Sequence, residues 1–244
     1  MEKLGTLHIL RRYPFKSMAG EDLKEIFVTY AGLTGDRAYA FVDKANRSNF
    51  PWMTGRQAHE MILFRPRYLE PCPASEEHPS RDSFRAEVVT PEGQTMKVDD
   101  LGFVSYFERR FGRQLELRYS ERSMQDACPI SLVGLATIDS LSQETGMSLD
   151  HRRFRTNFYI VWDNRKPFFE DDLVGEKLQI GEELTVMIVK KDTRCVMITL
   201  DPSSAEAYPQ IFDVVTNNHG RCFGVYGSVV REGVVRAGDA VYAV

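Results

Sequence analysis

Apolar and polar residues alternate in short runs along most of the chain, the period of two expected where one face of a strand is buried and the other is not. The alternation predicts strands over residues 6–10, 25–30, 37–43, 84–89, 94–98, 114–119 and 158–162. More follow over 184–190, 195–200 and 223–231, and a closing segment over 234–244 is broken by Gly238-Asp239 as a turn breaks a hairpin. Helical spacing is rarer. Leu101, Val104, Phe107 and Phe111 predict a helix over 99–112 ending at Gly112, and Leu132, Leu135, Ile138 and Leu141 predict one over 131–146 ending at Gly146. A shorter helix is expected over 209–216, with Pro209 suited to its first turn. The fold class implied is mixed α/β and predominantly β, with a few short helices. Residues 70–82, crowded with proline, serine and charge, read as a surface loop. Polar residues interrupt the apolar pattern over 120–127, which divides the 244 residues into halves of 1–120 and 121–244.

Charge and cysteine usage narrow the function classes. The net charge is −4. Residues 1–120 carry 18 Lys and Arg against 17 Asp and Glu, and the remainder 13 against 18, so neither half has the clustered cations that bind nucleic acid. The cysteines at 72, 128, 195 and 222 are too scattered for a zinc knuckle or an iron-sulfur cluster. Five isolated histidines offer neither metal-ligand spacing nor a hydrolase triad. The first residues lack the apolar core of a signal peptide, and no apolar run is long enough to span a bilayer, so a cytoplasmic protein with reduced thiols and no membrane partner is expected.

Four segments concentrate polar chemistry at the ends of predicted strands. Tyr13-Pro14-Phe15-Lys16-Ser17 is a solvated turn or a cation-and-hydroxyl pair facing a ligand. Gly32-Leu33-Thr34-Gly35-Asp36-Arg37 is a tight turn whose Arg37 either pairs locally or offers its fork to a phosphate. Arg152-Arg153-Phe154-Arg155-Thr156-Asn157 brings three arginines up to an apolar strand, where they need anionic partners, either a bound anion or structural carboxylates. Cys195 follows Arg194, whose charge favours the thiolate that binds metals or acts as a nucleophile; the alternative is a buried, inert thiol. Cys222 precedes a core strand and reads as structural, and Trp52 lines either a substrate mouth or the core.

In this order, YPFKSMAGE, GLTGDRAYAFVD, RRFRTNF, FEDDLVGEKLQIG, TRCVMITLDP and FGVYGSVVREGVVRAGD resemble the MOSC family, named for the C-terminal domain of molybdenum cofactor sulfurase. The resemblance spans almost the whole chain. It implies a MOSC β-barrel packed with a strand-rich N-terminal region, and a molybdenum cofactor (Mo-molybdopterin) held by Lys16, Ser17, Arg37, Arg155, Asn157, Thr193 and Arg194. Cys195 is then the molybdenum ligand. Similarity to the branch that includes the mitochondrial amidoxime reducing component implies reduction of N-hydroxylated or N-oxide small molecules. Electrons would come from a separate flavin or iron-sulfur protein, since no iron-sulfur cluster is expected in this chain. Two departures bear on substrate and donor: Lys190-Lys191-Asp192 stands where relatives often have proline and another cysteine, and Thr156 stands where proline is common. The resemblance also admits a sulfur or sulfurated-cofactor carrier, with a persulfide on Cys195 and a cysteine desulfurase partner bearing the pyridoxal phosphate. A third reading is a small-ligand binding module without metal chemistry.

Overall fold

A computed structural model describes residues 1–70 and 84–244. From residue 71 onward the loop read at 70–82 lies outside the described residues, as does Cys72. The first part of the chain contributes β1 (Lys3–Arg12), β2 (Glu21–Leu23), β3 (Glu25–Thr29), β4 (Gly32–Leu33), β5 (Tyr39–Asp43), β6 (Arg65–Tyr68), β7 (Ala86–Val89), β8 (Thr95–Lys97), α1 (Phe103–Phe111) and β9 (Leu115–Tyr119). The second contributes β10 (Ile130–Gly134), α2 (Leu135–Thr145), β11 (Phe158–Trp162), β12 (Lys177–Ile180), β13 (Leu184–Thr193), α3 (Pro209–His219), β14 (Cys222–Arg231), β15 (Gly233–Arg236) and β16 (Ala240–Ala243).

Seven strands close a barrel in the order β11, β10, β14, β13, β12, β16, β1, with β1 pairing back onto β11. Closure removes the open edges that would otherwise expose unpaired backbone. Six of the seven strands come from the second half of the chain, and β1 completes the ring from the N-terminus. Its interior follows from alternation: along β11, Phe158, Ile160 and Trp162 join the barrel core with Leu7, Leu132, Val186 and Val225, while Val161 faces outward at 43% exposure. A second core gathers Phe15, Tyr39, Phe41, Phe64, Phe103 and Phe107 between the β5/β9 pair, the β6–β8 sheet and α1. A third lies under α2 and α3, where Val133, Ile138, Leu141, Ile211, Val215 and Phe223 meet. Among the described residues no helix is long and apolar enough to cross a membrane.

Two local readings of the pattern give way to tertiary structure. Residues 130–134 form a strand, all five buried, and the helix starts only at Leu135. The spacing of Leu132, Leu135 and Ile138 mimics a helical stripe, but Leu132 points into the barrel and Val133 toward the third core, so both faces of a strand are satisfied there. Residues 196–199 form a 3-10 turn instead of a strand. β13 ends where the Arg194 N–H donates to the Arg221 carbonyl (2.9 Å), and the Arg153 guanidinium takes the Thr199 carbonyl (3.0 Å) that a strand partner would need.

The β10–α2 junction depends on one buried carboxylate. Glu170, fully buried, accepts from the Gly134 N–H (3.0 Å) and the Trp162 indole (3.2 Å). A Cβ on Gly134 would lie 2.8 Å from the Trp162 ring, so only glycine fits. Burial raises the Glu170 pKa, with the Gly134 hydrogen bond opposing. A carboxyl with a raised folded-state pKa stabilises fully below its unfolded pKa, and that contribution fades as pH rises through the folded value. Urea unfolding should therefore show a larger cost for Glu170→Gln at about pH 4 than at about pH 7. Equal costs at both pH values would mean that ionisation at Glu170 is not coupled to folding.

Candidate functional site

The segments that follow β1, precede β5, β10 and β11, and follow β13 wall a cavity of about 200 Å³. Lys16, Ser17, Arg37, Arg155, Asn157, Thr193, Arg194 and Cys195 all line it. Three of these eight, Ser17 (φ 65°), Arg37 (φ 50°) and Arg155 (φ 51°), hold left-handed backbone, which costs a non-glycine residue about 1 kcal/mol or more. The surrounding fold imposes these conformations: the Arg37 N–H donates to the Tyr13 carbonyl (2.6 Å), and the Arg155 N–H to the Arg152 carbonyl (3.3 Å).

The wall is strongly cationic although the chain is acidic. Among the described residues its lining holds six cations, Lys16, Arg37, Arg56, Arg153, Arg155 and Arg194, and two carboxylates, Asp126 and Asp192, while Asp36 and Asp201 pair with Arg37 and Arg153 from outside it. These cations are not equally available. Lys16 donates to the Met124 carbonyl (2.7 Å) and pairs with Asp126, and burial lowers its pKa against the pull of that carboxylate. Arg37 pairs with the buried Asp36 and donates to the Arg155 carbonyl (2.9 Å). Arg155 lies over the Tyr13 ring and donates one nitrogen to the Met18 carbonyl (2.6 Å), while its other terminal nitrogen, Nη2, is buried without an acceptor. Burial, with added repulsion from Arg37 and Arg11, brings the Arg155 pKa down to about 10. An uncompensated guanidinium in such a place is prepared to meet an anion.

Two of the residues that the family resemblance assigns to the cradle are already engaged by the protein. The Asn157 carbonyl oxygen accepts from the Ser131 hydroxyl (2.9 Å), and its amide donates to the Arg11 carbonyl (3.2 Å), tying β10 to β1. Arg194 donates to the carbonyls of Phe223 (2.7 Å) and Phe154 (2.6 Å) and pairs with the buried Asp192 at 3.0 Å. Both shape the wall and leave little donor capacity for a ligand. The Thr193 hydroxyl lies 3.9 Å from the Cys222 sulfur.

Cys195 is a free, half-buried thiol at the start of the 3-10 turn, with the backbone on either side pinned by the Arg194 and Ile198 N–H groups. Cys128, also free, lines the same cavity, and burial raises its pKa. The sequence offers no signal for Cys128, Asp126 and Arg56, which sit in segments with no distinctive pattern, and Tyr226 reads only as part of a strand. The signal for Arg153 was present in the arginine run, and the structure spends that side chain on Asp201 (2.8 Å) and the Thr199 carbonyl. Among the described residues no group of three or more His, Cys, Asp or Glu is arranged to hold a metal ion. The residues present do fit an anionic ligand that carries a metal and leaves a place for one thiolate: a cationic wall, an unpartnered Arg155 nitrogen and a half-buried thiol.

A family model described as the MOSC domain matches residues 120–242, and one described as the MOSC N-terminal beta barrel domain matches residues 4–111. The chain is 29% identical over 126 residues to molybdenum cofactor sulfurase of Caenorhabditis briggsae, covering 51% of this chain and 17% of that protein. It is 32% identical over 112 residues to the Caenorhabditis elegans protein of the same name, covering 44% and 15%. The chain thus spans less than a fifth of the length of these relatives. Among solved structures it resembles the YuaD protein from Bacillus subtilis, with TM-score 0.53, 12% identity, and coverage of 97% and 93% of the two chains, a likeness of fold.

Proposed function

The chain belongs to the MOSC family, and from that premise we propose that its cationic cavity binds the phosphate-bearing, pterin-based molybdenum cofactor, with Cys195 as the protein's ligand to the metal. The observation that supports this reading is a cavity lined by six cations, four of them paired with Asp126, Asp36, Asp201 and Asp192, that leaves Arg56 and Arg155 without a carboxylate in ion-pair range among the described residues, beside the Cys195 thiol. In it, Arg155 and Lys16 neutralise the phosphate, and Ser17 and Thr193 offer hydroxyls to the polar edges of the ligand. Asn157 and Arg194 act one step back, fixing the segments from which the others project. The cofactor, when bound, supplies two-electron oxygen-atom chemistry, so that an N-hydroxylated substrate takes up two electrons and two protons and releases its oxygen as water. The electrons come from a separate flavin or iron-sulfur protein.

A carrier of sulfur or sulfurated cofactor is the second reading. It is favoured by Cys128 lining the same cavity as Cys195, and by the name of the curated relatives. Turnover of an N-hydroxylated compound with a chemically reduced donor separates the enzyme from the carrier.

The test is the molybdenum and pterin content of protein made with molybdate in a cofactor-producing host. Near-stoichiometric metal and pterin are expected; absence of both from well-loaded cells would overturn cofactor binding. Arg155→Ala should weaken pterin retention about ten- to a hundredfold, because a charge-assisted contact to a buried anion is worth about 1.5–3 kcal/mol. Undiminished pterin in that variant would remove Arg155 from the binding role.

A further inference from the structure

Behind the large cavity lies a second one, of about 30 Å³, whose wall includes Arg11, Arg152, Arg153 and Arg155. Among the described residues no carboxylate lines it. Arg11 and Arg153 are 6% and 4% exposed, and each has a buried Nε with no acceptor; Arg155 adds its unpartnered Nη2. Three orphaned guanidinium nitrogens thus belong to residues lining one small chamber. A buried N–H without a partner costs about 1–3 kcal/mol, so an acceptor in the chamber that these residues line would relieve a cost the fold otherwise bears.

Charge counting selects that acceptor. Among the described residues, Arg11 pairs with Asp22, Arg152 with Asp150 and Arg153 with Asp201, leaving Arg155 as the one member of the four with no carboxylate in ion-pair range. One positive charge is therefore uncompensated. The chamber has room for roughly two waters, the size of a halide or nitrate and too small for a pterin. We infer that this arginine cage is a binding site for a small inorganic monoanion, held by Arg11, Arg153 and Arg155 behind the larger cavity. Arg153 and Arg155 line both chambers, so the monoanion also fixes the Arg155 side chain and shares its charge with whatever anion occupies the larger one. The inference does not depend on the pterin and is testable on protein prepared without it.

Crystals of the full chain grown or soaked in bromide should show an anomalous peak within hydrogen-bond distance of Arg11 Nε, Arg153 Nε and Arg155 Nη2. Bromide in the larger cavity alone, or water alone in the cage at saturating bromide, would overturn the assignment. In solution, melting temperature should rise saturably with chloride relative to gluconate at equal ionic strength. Arg11→Gln should weaken that response about tenfold through loss of a charged donor. Arg56→Gln, which alters only the larger cavity and its neighbours, should leave it intact. A response that survives Arg11→Gln and disappears in Arg56→Gln would place the anion in the larger cavity and refute the cage. The bromide experiment on the unmodified chain decides the matter should Arg11→Gln fail to fold.

Discussion

Cys195→Ser is expected to reduce molybdenum content and turnover roughly a hundredfold while leaving the fold in place. Loss of a supporting contact around a metal typically costs 10–100-fold, and loss of the protein's own ligand belongs at the upper end of that range or beyond it. The fold should survive because serine is close to cysteine in size, and the backbone here is held by other groups. The Arg194 N–H donates to the Arg221 carbonyl (2.9 Å), the Arg221 guanidinium returns to the Arg194 carbonyl (2.9 Å), and the Ile198 N–H takes the Cys195 carbonyl (3.3 Å). None of these bonds uses the sulfur. The readouts are elemental analysis and melting temperature on the same preparation, with Cys128→Ser beside it. Metal lost from Cys195→Ser and kept by Cys128→Ser assigns the ligand. Full metal and activity in Cys195→Ser would remove the central claim of the proposed function, and a collapse in melting temperature would show that the thiol matters to folding.

The strands were legible because alternation is a local record of a two-sided environment, as in β13, where Leu184, Val186 and Ile188 are buried and Thr185, Met187 and Val189 are more exposed. Where both faces of a strand are buried that record vanishes, which is why residues 130–134 read as helix. Closure of the barrel by β1 left no trace in the pattern, because pairing Leu7 with Ile160 is a matter of topology across 153 residues of sequence. The cavity lining was legible as a set of residues but not as a division of labour. The eight residues that the family resemblance implies line one cavity, yet nothing in the sequence says that Asn157 is spent on Ser131 and Arg11, or that Arg155 keeps a free nitrogen. The left-handed backbone at Ser17, Arg37 and Arg155 was equally hidden, since none is glycine, and at Arg37 it is held by a bond to the Tyr13 carbonyl earlier in the chain.

That division of labour makes Arg194 the residue whose replacement should cost the most stability. Its guanidinium is 8% exposed and joins three separate parts of the chain: the Phe154 carbonyl before β11, the Phe223 carbonyl in β14, and Asp192 in β13. Asp192 is almost wholly buried, and burial already raises its pKa against the opposing pull of Arg194. Arg194→Met fills similar volume but leaves that carboxylate without its cation, a change that typically costs about 3–5 kcal/mol. For a chain of this length, that corresponds to a melting temperature lower by roughly 6–20 °C. Adding Asp192→Asn should recover part of the loss, because the stranded charge is then gone. The sign of the pH dependence follows from the same carboxylate. A raised folded-state pKa gives stability that is present in acid and fades as pH rises through the folded value, so the deficit of Arg194→Met should be smaller at about pH 4 than at about pH 7. A variant within about 1 kcal/mol of the parent that nonetheless loses its pterin would reverse the assignment, making Arg194 a ligand-facing cation and leaving Asp192 to be stabilised by Tyr226.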